Sequence, residues 1–137
     1  MPSSASAGDA FWRSACAAAL AAREEAVARA ARLDPDDATT WIAFARDLGE
    51  DRDAARETCE LLGVWLRDVL AVQAAGDAAP LALGDLAEHT RAAAAQLPAH
   101  EVARRAESAR ATAQALLQNA SPALALEGML VGWFGRG

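Results

Sequence analysis

The chain has 137 residues, enough for one domain with a single core and too few for a catalytic domain plus a partner domain. Its net charge of −6, from 13 cationic residues against 19 acidic ones, argues against independent nucleic-acid binding, which draws most of its affinity from cationic neutralisation of phosphates. Every cation is arginine, so the Schiff-base lysine, the P-loop lysine and the lysine general base are all excluded. With 39 alanines and 53% hydrophobic but only 5% aromatic residues, the composition strongly favours helices, which must approach closely because few bulky groups are present to fill a wide interior.

Met1 to Gly8 are small and polar and read as a disordered leader, with residues 9–137 forming a single helical domain. Asp9 is placed to cap a long, thinly anchored first helix from about Ala10 to Leu33, on which Phe11, Trp12, Cys16, Leu20 and Val27 mark a sparse apolar face. The DPDD turn at Asp34 to Asp37 supplies a proline for the first helical position of a second helix, whose face is Trp41, Ile42, Phe44, Ala45 and Leu48 and whose end is Gly49.

The third helix is the one the others are expected to wrap. From Ala54 to Ala75, Leu62, Trp65, Leu66 and Val69 recur at steps of three and four, widened by Leu61, Val64, Leu70 and Val72. Arg67 and Asp68 interrupt this apolar block, so each must either find a partner or face a groove. After Gly76 comes a loop to Asp85, which caps a fourth helix through Leu97. Pro98 turns the chain into a fifth, from about His100 to Gln118, where Glu101 with Arg104 or Arg105, and Glu107 with Arg110, are spaced as intrahelical pairs on a solvated face. A sixth segment opens with Ser121 as cap and Pro122 at the first position. It carries Leu124, Leu126, Met129, Leu130, Trp133 and Phe134, and closure of the domain's own core or a docking surface would each account for that cluster.

Chemistry is sparse. No G-x-x-x-x-G-K-S/T, G-x-G-x-x-G or H-E-x-x-H motif occurs. Asp85, Glu88 and His89 share one helical turn with ligand-like spacing, yet a di-metal bundle needs a second Glu-x-x-His arm that this chain lacks. His100 beside Glu101 reads as a helix-start residue, and Cys16 and Cys59 read as two small buried thiols. No apolar run is long enough to span a bilayer and no signal-peptide layout is present, so the expected location is cytoplasmic. No catalytic residue, cofactor or metal is assigned.

Two stretches, LLGVWLRDVLAVQAAGD at Leu61 to Asp77 and ALLQNASPALALEGMLVGW at Ala115 to Trp133, together resemble the C-terminal collar domain of the delta-prime subunit of bacterial DNA polymerase III, part of the clamp loader. The matching residues are Trp65-Leu66-Arg67-Asp68 and then Asn119, Pro122, Leu124 and Leu126-Glu127, within a similarity reaching from about Trp41 to Val131. The resemblance implies an all-α fold, a compact, collar-like bundle of five to six helices that is noncatalytic by itself. It also implies assembly with the collar domains of the gamma/tau and delta subunits in DNA replication, as part of a DNA-directed DNA polymerase holoenzyme, with no direct contact to nucleic acid or membrane. Such subunits carry two preceding AAA+ modules that this sequence lacks, which leaves open a piece of a longer subunit or a separate collar chain. The candidate subunit interface is Trp65, Arg67, Asp68, Met129, Trp133 and Phe134. Two rival readings are a free-standing helical adaptor that self-associates through Trp133, Phe134 and the first helix, and a metal-dependent enzyme built on Asp85, Glu88 and His89.

Overall fold

Local capping chemistry sets the starts of the second and third helices and long-range contacts position the later ones. The computed structural model describes residues 7–135, in which six α-helices occur and no strand: α1 (Ala7–Ala31), α2 (Ala38–Leu48), α3 (Arg52–Ala75), α4 (Ala87–Gln96), α5 (Ala99–Leu117) and α6 (Pro122–Phe134). The compact all-α bundle expected of this sequence is therefore the fold. Met1 to Ser6 of the expected leader lie outside the described residues, and Ala7 and Gly8 already belong to α1, so Asp9 sits within its first turn instead of capping it.

Carboxylates open the next two helices. Asp37 accepts a hydrogen bond from the Thr39 N–H at 3.1 Å and caps α2. Pro35 precedes the helix, because the Asp34 carboxylate accepts from the Asp36 N–H at 2.9 Å and closes a turn of its own. Asp51 accepts from the Asp53 and Ala54 N–H groups and caps α3, which ends at Gly76 with a φ of 69° that suits a residue without a side chain. The later starts differ from expectation. Asp85 lies in a 3-10 turn, Gly84–Leu86, that leads into α4, and His100 lies inside α5, so neither is a cap, while Ser121 does stand at the N-cap position of α6 but makes no side-chain capping hydrogen bond.

α3 is the axis. Ala55, Cys59, Leu62, Trp65, Leu66 and Val69 are buried along it, and it lies against α5, α4, α1 and α6. Each fully buried Leu or Val contributes about 1.5–3 kcal/mol relative to an exposed position. α5 supplies Val102, Ala106, Ala109, Ala113 and Leu116, and α6 supplies Leu126, Met129, Leu130 and Trp133. α2 packs on α6, and the two meet backbone to backbone at one point. A Cβ on Gly49 would stand 2.8 Å from the Ala45 carbonyl oxygen and 2.9 Å from the Ala123 Cα, so no side chain fits there.

The adjacent charges within α3 take different routes. Asp68 is buried, and its carboxylate accepts from the Ala82 N–H at 2.9 Å and the Leu83 N–H at 2.8 Å, which ties the α3–α4 connection down and seats Leu83 and Leu86 in the core. Arg67 is exposed. The α5–α6 connection is closed by backbone geometry instead. Asn119 has a φ of 67°, and the Ala120 N–H donates to the Ala115 carbonyl at 3.3 Å in a Schellman closure.

Two outcomes follow for stability. Asp68→Ala removes the acceptor of two amides, one of them buried, and is expected to cost about 2–4 kcal/mol in urea unfolding, with Asp68→Asn losing less because one acceptor oxygen remains. Asn119→Val, which forces a β-branched residue into the left-handed region, is expected to cost about 1–2 kcal/mol, whereas Asn119→Gly is neutral or better.

Candidate interaction surfaces

The predicted interface residues separate once placed in the fold. Trp65, Met129 and Trp133 are 4%, 3% and 5% exposed and belong to this chain's own core, and Asp68 is committed to the loop amides. Phe134 is half-buried, its ring centroid 6.0 Å from that of Trp41 and 6.1 Å from that of Trp133. The apolar end of α6 thus closes the domain, and of the six residues only Arg67 is well exposed.

Closure of α6 depends on the start of α5. Glu101, in the first turn of α5, accepts hydrogen bonds from both Arg104 and Arg105, the latter at 2.9 Å. So held, the Arg105 guanidinium lies 5.0 Å from the Phe134 ring centroid and 5.5 Å from that of Trp133. Arg104 donates to the carbonyls of Gly132 and Trp133, two of the acceptors that the end of α6 leaves without a helical partner. The arginines expected on a solvated face therefore staple α6 to α5. Glu107 and Arg110 do behave as expected, forming an exposed pair at 2.6 Å.

Burial pushes the Glu101 carboxyl up, but the hydrogen bonds and charges of Arg104 and Arg105 outweigh it and hold the group below its ordinary value of 4.5. A carboxylate depressed in the folded state stabilises the fold above its unfolded pKa and loses that contribution as pH falls through the folded value. Glu101→Gln is therefore expected to melt lower than the parent at neutral pH. The gap should narrow as the medium is acidified below pH 4.5, as measured by thermal unfolding across that range.

A groove of about 290 Å³ runs between α3 and α5, floored by Cys59, Gly63, Ala106 and Ala113, with Val64, Leu117, Arg67 and Arg110 along its edges. Val64 and Leu117 are 36% and 60% exposed. Burial, aided by the charge of Glu60, pushes the Cys59 thiol up to about 12, so it stays protonated and non-nucleophilic at neutral pH. Cys16, in contrast, is exposed, which corrects the expectation of two buried thiols. It lies on the thinly anchored part of α1: Ala7 to Ala22 are all exposed, with Phe11 at 73%, Trp12 at 68% and Leu20 at 45%, and α1 is buried only from Val27 onward.

The acidic-histidine turn does not assemble a metal site. Asp85 faces Arg23 at 3.3 Å, His89 lies 3.9 Å from Glu24, and Glu88 is exposed. Among the described residues no group of three or more His, Cys, Asp and Glu side chains gathers as metal ligands would, and no helix is long and apolar enough to cross a membrane. No protein-family model, curated protein or solved structure matches the chain.

Proposed function

We propose that this chain is a noncatalytic helical assembly module, a clamp-loader collar domain of the DNA polymerase III delta-prime type that binds the collar domains of gamma/tau and delta subunits in the cytoplasm during DNA replication. The observation that carries the reading is the pair of stretches from Leu61 to Asp77 and from Ala115 to Trp133, whose order and motif residues resemble that domain. What those residues do in the fold is in keeping with a scaffold. Asp68 anchors a loop, Asn119 makes the turn between two helices, Pro122 opens α6 and Leu126 fills the core.

The surface is also suited to contacts between proteins. The α3–α5 groove offers Val64 and Leu117 to an apolar side chain of a partner, with Arg67 exposed at its edge to meet a carboxylate and Arg110 already paired with Glu107. Mixing the purified chain with gamma/tau and delta collar domains and measuring mass by light scattering tests the proposal. A complex of fixed stoichiometry, weakened at least tenfold by Leu117→Glu, is the expected result. A chain that forms no complex with any of these domains overturns it.

A further inference from the structure

Trp12, Cys16 and Leu20 stand at i, i+4 and i+8 on α1, one ridge of the kind that interlocks when two helices cross. At about 100° per residue the same ridge runs on through Arg23 to Val27 and Ala30, the residues by which α1 joins the core, so one continuous face is covered at one end of the helix and open at the other. From Ala7 to Ala22 the open part is roughly 24 Å long at ~1.5 Å per residue. Its neighbours Ala15 and Ala19 are small enough to let a second backbone approach.

This face is complementary to itself. We propose that two copies of the chain pair through α1, antiparallel, about a twofold axis at Cys16. In that arrangement Trp12 of each copy meets Leu20 of the other, Arg13 lies across from Ala19, and the two Cys16 thiols face one another. Asp9 of each copy approaches Arg23 of the other, which already holds Asp85 at 3.3 Å and keeps about a third of its side chain open, at 34% exposure. Large meets medium at either end, small meets small at the centre, and opposite charges meet at the margins; a parallel pairing would set Trp12 on Trp12 and Arg13 on Arg13. The open length is short, and an interface below about 1,200 Å² in total is of the transient class, so the pair forms and dissociates with concentration. The contact surface is separate from the α3–α5 groove, so the inference stands apart from the collar reading.

The test is sedimentation equilibrium of the full chain from micromolar to submillimolar concentration, joined to crosslinking with a short bismaleimide. A reversible dimer is expected, weakened at least tenfold by Trp12→Glu, a change at an exposed site that leaves the far-ultraviolet circular dichroism and the melting temperature unchanged at dilutions where both chains are monomeric. Register is read in a Cys16→Ser background: Arg13→Cys and Ala19→Cys chains crosslink to each other when mixed, and each alone yields little dimer. A monomer at every concentration overturns the proposal. Efficient crosslinking of Arg13→Cys to itself overturns the antiparallel register.

Discussion

Distance between helices governs this molecule. A chain so rich in alanine has few side chains long enough to bridge a wide interior, so α3 and α5 must lie close along most of their length. Gly63 shows how close: a Cβ there would come within 3.9 Å of the Ala106 carbonyl oxygen and 4.0 Å of the Ala109 Cβ, ordinary contact for a methyl group and tight for anything larger. The bulkiest fully buried side chains are few: Phe44 of α2, Leu62 and Leu66 of α3, Leu86 before α4, Leu116 of α5, and Leu126 and Leu130 of α6. Such packing gains dispersion energy from many short contacts and tolerates little added volume.

Polar side chains position the other elements against that pair. Asp68 holds the connection before α4, Gln73 donates to the carbonyls of Ala94 and Leu97 at the end of α4, and Arg52 reaches the Leu116 carbonyl at the end of α5 at 2.9 Å. Arg104 does the same for α6. Three helix ends are thus closed by side chains that belong to a different helix. Glycine and asparagine settle the local direction of the chain, and these long-range donors settle where each helix end sits.

The periodic features were the legible ones. Apolar spacing of three and four residues located α3 and its buried face, and Gly49, Gly76 and Pro122 marked boundaries close to where they fall. What the sequence could not show was the destination of polar groups whose partners are backbone atoms far along the chain. Glu101, Arg104 and Arg105 have the spacing of a solvated pair, and nothing local reveals that α6 ends beside them. Trp65, Met129 and Trp133 were expected at a subunit contact on the strength of size and position, yet the same bulk made them the material of the core. α1 is as thinly anchored as its sparse apolar face predicts. Val27 and Ala30 are the residues it buries, while Trp12, Cys16 and Leu20 lie on the stretch from Ala7 to Ala22 that is exposed throughout.

The backbone contact between Gly49 and Ala123 also bears on how the molecule comes apart. α2 packs on α6, and α6 in turn is fixed by arginines at one end and by its apolar face along its length. Release of α6 would withdraw the surface on which α2 is laid, so the two helices form one cooperative unit that opens together, while α3 and α5 keep each other company as the last part to exchange their amide protons with solvent.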